Sequence, residues 1–175
     1  EVETRQRHPR WSERRIRKVT QALAVATMKF EMLKVSPDKT ITFNIEEALR
    51  FDGYTACYLE YSYARLLSII RKGGWGFWAG KYDPSQLQED KERTILLKLA
   101  KYSKTVWLAR QEYNPSEIAK YLFELAQLSN DYYHDINILK AEPSVRLARI
   151  ALVKAVARVL HNGLALLGLE ALEEM

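Results

Sequence analysis

Apolar residues recur every three or four positions through most of this chain, which is the period of an α-helix with one buried face. Between about residues 12 and 34 that face is Ile16, Val19, Leu23, Ala26, Phe30 and Leu33, with Ser12 placed to cap the helix. Ser36-Pro37-Asp38-Lys39 then reads as a turn, because Pro fixes φ and Asp bonds its own downstream backbone. The stretch 40–43 is β-branched and alternating, so it is extended, but four residues with no partner strand make a connector and not a sheet. Asn44 caps a short helix containing Ala48 and Leu49, with Glu47 in the capping-box position, and Gly53 ends it.

A helix over about 58–72 carries two stripes: Leu59, Tyr63, Leu66 and Ile70 on one, Tyr58, Tyr61 and Arg65 on the other. Residues 73–80 hold four of the seven glycines beside Trp75, Phe77 and Trp78, and so read as a loop. Helical spacing resumes at Asp83-Pro84-Ser85 and runs to about residue 102, with a short continuation to Glu112. Asn114-Pro115-Ser116-Glu117 opens the next helix, which lasts to about residue 133. Pro143 starts the last one, with Leu152, Val153, Val156, Leu160, Leu164 and Leu167 on its inner face and Gly168 as terminator. The prediction is an all-α helical bundle.

Length adds that 175 residues form one domain able to bury a core without metal or disulfides. Cys57 is the only cysteine, which excludes an internal disulfide and favours a reducing compartment, the cytoplasm. No apolar run approaches the ~20 residues that cross a bilayer, and the first ten residues lack the apolar region of a secretion signal. The chain does not begin with Met, so it reads as an excised fragment.

Charge changes the picture at one end. Of the net +5, the first 18 residues supply +4, from Arg5, Arg7, Arg10, Arg14, Arg15, Arg17 and Lys18 against Glu1, Glu3 and Glu13. Such a block is either a polyanion-facing edge or the solvated start of an amphipathic helix.

Catalytic patterns are missing. His8, His134 and His161 stand far apart and outside any metal-ligand spacing, and no phosphate-binding GxxxxGK[ST] loop occurs. The neighbouring acids Glu46 and Glu47, or Glu173 and Glu174, point about 100° apart on a helix and cannot share a site by themselves. The expectation is no catalytic residue, no metal and no cofactor in this chain. The denser signal is 54–63, with four of the ten tyrosines. Tyr58, Tyr61 and Arg65 follow i, i+3, i+7 spacing, which lines two rings and a guanidinium along a helix, as unpaired RNA bases and phosphates require. Tyrosines buried between helices with bonded hydroxyls satisfy the same pattern.

The string from Gly53 to Arg65 resembles the pattern G-x-T-x-x-Y-x-x-Y-x-x-x-R at the start of the C-terminal anticodon-binding domain of arginyl-tRNA synthetases. The segment 30–44 before it, the stretches 121–126 and 131–135, the DALR-like run 146–153 and the ending 166–175 resemble that family's landmarks in the same order, so the likeness covers about residues 19–175.

The resemblance implies a helical bundle of the class I aminoacyl-tRNA synthetase anticodon-binding type over 19–175, gripping the anticodon arm of the tRNA for arginine. It implies a partner catalytic domain, missing here, that uses ATP and Mg2+; neither a HIGH-like nor a KMSKS-like sequence occurs, so the chain alone should be inactive. A monomer is expected. Carried over residue by residue, Tyr58, Tyr61, Arg65 and Arg71 fall on the loop-contacting helix, Tyr133 faces the same loop, and Met175 packs near the anticodon. Arg149 and Leu152 are structural. The basic segment 1–18 falls at the junction with the catalytic domain, where Arg14, Arg15 and Arg17 would meet backbone phosphates.

Three departures stand out: Ala56-Cys57 where Gly-Pro is common, Glu60 in place of a frequent Gln, and acidic Glu173 and Glu174 before Met175 where a basic residue is common. Carboxylates there would repel phosphates. The aromatic loop at 75–78 matches no family landmark. Two rival readings are a free-standing protein-interaction module with a basic N-terminal face, and the related domain of the cysteinyl enzyme, against which the spacing of Tyr58, Tyr61 and Arg65 argues.

Overall fold

The computed structural model describes residues 2–73 and 82–175. Among them there is no strand, and eight α-helices follow in order: α1 (Val2–Arg7), α2 (Glu13–Leu33), α3 (Ile45–Ala48), α4 (Ala56–Lys72), α5 (Asp90–Ala100), α6 (Tyr102–Gln111), α7 (Ser116–Asp135) and α8 (Pro143–Leu166). The aromatic stretch that the sequence singles out at 75–78 lies outside the described residues.

Local chemistry fixes most helix starts. The Ser12 hydroxyl accepts the Arg15 N–H, Asn44 accepts those of Glu46 and Glu47, and Thr55 accepts that of Tyr58 while donating to the Arg50 carbonyl at 2.7 Å. Gly53, at φ +83, makes the reversal into α4 that a side chain would strain. α8 ends as predicted, with Gly168 in the left-handed region at φ +68.

Two expectations change. α1 was not foreseen, and the single helix expected over 83–102 is broken. Asp83 caps only a 3-10 turn, Pro84–Gln86. A new helix then starts at Asp90, because Glu89 and Glu92 form a reciprocal capping box.

α4 packs on α2, α7 and α8, and α7 on α5, α6 and α8. Phe30, Leu59, Leu122, Leu125, Leu160 and Leu164 are fully buried between them. Aromatic edges weld α2 to α7 through Tyr54, whose ring meets Phe30 at 5.3 Å and Phe123 at 5.0 Å. α7 and α8 approach closely at Gly163, where an added methyl would overlap the Leu122 side chain. Gly163→Ala should therefore destabilise the fold by about 1–3 kcal/mol despite the better helix former, read by urea denaturation. A gain in stability would mean that Leu122 gives way freely.

Among the described residues, Glu60 and Glu92 are charged side chains with no exposed surface. Glu92 accepts from the Arg149 Nε at 2.7 Å, the Tyr132 hydroxyl at 2.9 Å and the Glu89 backbone N–H at 3.0 Å. This knot ties α5, α7 and α8 together, and gives Arg149 the structural role that the DALR-like run implies. Burial, and after it the hydrogen bond to Glu92, drive the Tyr132 hydroxyl strongly upward in pKa. The chain after α8 folds back along α4 and α2 as a strap, burying Leu167, Leu169 and Leu172.

Candidate nucleic-acid interface

α4 presents Tyr61, Arg65, Ser68 and Lys72 at i, i+4, i+7, i+11 along one wall of a surface cleft of about 330 Å³. Tyr133, from the last turn of α7, closes one side, and Glu173, Glu174 and Met175 of the strap close another. His8, just past α1, lines the remaining edge, and Arg71 and Ile69 complete the α4 side.

Arg65 is the centre of this surface. Its guanidinium carbon sits 4.9 Å from the Tyr61 ring centroid and 5.3 Å from that of Tyr133, and its Nη2 donates to the Tyr61 hydroxyl at 2.9 Å. Phe51 backs the Tyr61 ring edge-on at 6.4 Å. Two aromatic faces thus hold one planar cation in place before any ligand arrives, at a modest entropic cost for what binds next. Tyr133 is 39% exposed, so its ring is open to a stacking partner.

Three basic residues at the rim, Arg15, Arg71 and Lys18, are engaged by the strap. Arg15 lies 4.3 Å over the Trp11 ring and pairs with Glu174. Arg71 reaches the other Glu174 oxygen at 3.7 Å and the Glu173 carbonyl at 3.5 Å. Lys18 meets Glu170 at 3.6 Å. Of the two acids that the sequence reading set against phosphate binding at Met175, the Glu174 carboxylate is therefore paired with cations, while Glu173 meets Arg71 through its backbone carbonyl. All these side chains remain 42–74% exposed, so each pair is weak and exchangeable.

Of the residues singled out from sequence, Tyr61, Arg65, Arg71, Tyr133 and Met175 come together in this cleft. Tyr58 does not line it. Its ring packs on Phe123 at 5.4 Å and its hydroxyl accepts from the Asn130 side-chain amide at 2.9 Å, which seats it between α4 and α7. Arg15 reaches the rim through Glu174, whereas Arg14 and Arg17 are exposed on α2 outside the cleft lining. The boundary expected after Lys18 falls inside α2.

Sequence reasoning missed His8, which stacks on Trp11 at 3.8 Å and 10°, continuing the column Trp11 makes with Arg15. The spacing of His8, Trp11 and Arg15 holds that signal, but it becomes readable only once α1 turns back before α2. Among the described residues no group of three His, Cys, Asp or Glu side chains could hold a metal ion. No described helix is long and apolar enough to cross a membrane.

Residues 59–175 match the family model described as DALR anticodon binding domain. The chain is 37% identical over 172 residues to an arginine–tRNA ligase of Pyrococcus abyssi, covering 97% of this chain and 28% of that protein. It is 40% identical over 159 residues to that of Archaeoglobus fulgidus, covering 91% and 29%. Among solved structures it matches the Thermus thermophilus arginyl-tRNA synthetase with a TM-score of 0.91 and 33% identity, over 99% of this chain and 30% of that one. The chain thus spans less than a third of the length of these relatives.

Proposed function

Because the chain belongs to the DALR anticodon binding domain family, we propose that it is the part of an arginine–tRNA ligase that grips the anticodon arm of the tRNA for arginine. The observation that carries this reading is the guanidinium of Arg65 held between the rings of Tyr61 and Tyr133 at the mouth of the cleft. A single-stranded loop offers unstacked bases, which stack on such faces for roughly 1–3 kcal/mol each. Arg65, Lys72 and Arg71 then stand where the phosphates between those bases would run, and Met175 supplies an apolar contact beside them.

Glu174 holds the rim cations Arg15 and Arg71 ready in the free chain and gives them up to phosphate, since exposed ion pairs of this kind are worth at most about 1 kcal/mol. Arg14, Arg15 and Arg17 extend the basic surface past the cleft along α2, toward the stem of the arm. Joining arginine to the tRNA, with its ATP and Mg2+, falls to a catalytic domain of the same enzyme that these 175 residues do not supply. On this reading the domain works as one copy, in the cytoplasm, beside that catalytic domain.

The basic segment gives the direct test. Replacing Arg14, Arg15 and Arg17 together by Ala should weaken binding of an arginine-tRNA anticodon hairpin alike for native and base-changed loops. It should also flatten the slope of log affinity against log salt by about 2 to 3, one increment per lost phosphate contact. An unchanged slope removes α2 from the interface.

A further inference from the structure

Glu60 lies in the second turn of α4, wholly buried. Its Oε2 accepts the backbone N–H of Leu172 at 2.8 Å, and its Oε1, buried as well, has no hydrogen-bond partner among the described residues. Leu172 belongs to the strap that carries Glu173, Glu174 and Met175 into the cleft. The strap's other side-chain fastenings are at the surface: Lys29 Nζ on the Gly168 carbonyl at 2.6 Å, Lys18 on Glu170, Arg15 and Arg71 on Glu174, and Arg71 on the Glu173 carbonyl. The bond to Glu60 is the interior one, and it falls immediately before the residues that line the cleft.

We propose that Glu60 is a positioning residue for the cleft: by holding the Leu172 N–H it sets whether residues 173–175 reach their places, and it releases the strap when its carboxyl ionises. The claim rests on the reading that the cleft takes RNA, and it concerns the form that does so, with the strap docked.

The physical cause is a half-satisfied buried carboxyl. As a neutral acid Glu60 accepts from Leu172 and leaves only an uncharged hydroxyl unpaired, which costs less than a buried charge. As a carboxylate it has one bonded oxygen and one dry, unpaired one, which water would solvate if the strap lifted. Burial pushes its pKa from the ordinary 4.5 to about 7; the Leu172 N–H opposes the shift, and the charge of Glu170 adds to it.

The charged and titratable groups around it come from each neighbouring element. On its own helix the phenol is Tyr63, on the strap the acids are Glu170 and Glu173, and on α2 Lys18 pairs with Glu170. On α8, Arg158 and His161 face Tyr63, and α7 offers the uncharged Asn130 at Ser62. No cation among these pairs with Glu60 itself.

The sign follows. With a higher pKa in the docked form, the docked strap holds the proton more tightly, so docking is strongest below 4.5 and weakens as pH rises through 7. For these two values the docking constant falls about tenfold between pH 6 and pH 8.

Amide hydrogen exchange of Leu172 in the full 175-residue chain reads that constant directly, however small the open fraction. After correction for the intrinsic rate, its protection factor should fall about tenfold from pH 6 to 8. In Glu60→Gln, which keeps a carbonyl acceptor and cannot ionise, it should stay level. Saturating an arginine-tRNA anticodon hairpin should raise Leu172 protection in the native chain.

Protection that is flat in the native chain, or that falls equally in Glu60→Gln, overturns the proposal. Hairpin binding that leaves Leu172 protection unchanged overturns its link to the cleft. Absence of hairpin binding at low salt overturns the RNA reading instead, while the exchange profile still decides the latch.

Discussion

Replacing Arg149 by alanine is expected to cost about 3–5 kcal/mol of stability. Glu92 is wholly buried and Arg149 nearly so, and the pair links α5 to α8 while Tyr132 brings in α7. Alanine leaves the Glu92 carboxylate in the core with two hydrogen bonds and no countercharge. Arg149 also donates to the Asn137 carbonyl at 3.4 Å and lies 3.5 Å from Glu89, so the loop entering α8 loosens as well. Arg149→Lys keeps the charge and loses the planar fork, and should fall between the two. Urea denaturation at neutral pH measures all three, and a loss below about 1 kcal/mol would mean that water reaches Glu92.

The second large effect concerns binding. Arg65→Ala should weaken hairpin affinity by about 1–3 kcal/mol, roughly 5- to 150-fold, because it removes the middle of the stack of Tyr61, Arg65 and Tyr133 together with a phosphate donor. Tyr61→Ala should cost a similar amount. The double variant should cost clearly less than both losses added, since each side chain holds the other through the 2.9 Å bond from Arg65 to the Tyr61 hydroxyl. Fold stability should change little, as Tyr61 and Arg65 are both partly exposed. Fluorescence titration of each variant with the same hairpin reads these values, and changes within twofold would place the contact surface elsewhere.

What the sequence makes legible here is local. Ser12, Asn44 and Gly168 mark helix ends because a cap or a left-handed turn depends on residues three or four positions away. The break before α5 escaped because Asp83-Pro84-Ser85 is a sound start signal that here opens only a 3-10 turn, and the true cap at Glu89 is an acidic residue on an apparently continuous helix. Buried charge escaped for a related reason. Glu60 and Glu92 stand at positions that a hydrophobic pattern counts as polar, and only helices packing over them show that they are interior.

The cleft was legible in part because Tyr61 and Arg65 are one turn apart and need no tertiary knowledge to be aligned. Tyr58 has nearly the same spacing, yet α7 covers its side of α4 and Asn130 takes its hydroxyl. The strap could not be read at all from periodicity. Its bond from Leu172 to Glu60 joins residues 112 positions apart, and with it comes the pairing of Glu174 with Arg15 and Arg71 that turns an apparent electrostatic conflict into a set of exchangeable pairs.

Whether this chain reads an anticodon loop is tested most directly by fluorescence anisotropy of the chain with an arginine-tRNA anticodon hairpin, beside the same hairpin with its middle anticodon base changed, across a salt series. The expected result is salt-sensitive binding that weakens on the base change. Equal affinity for the two hairpins, or no binding even at low salt, would contradict it.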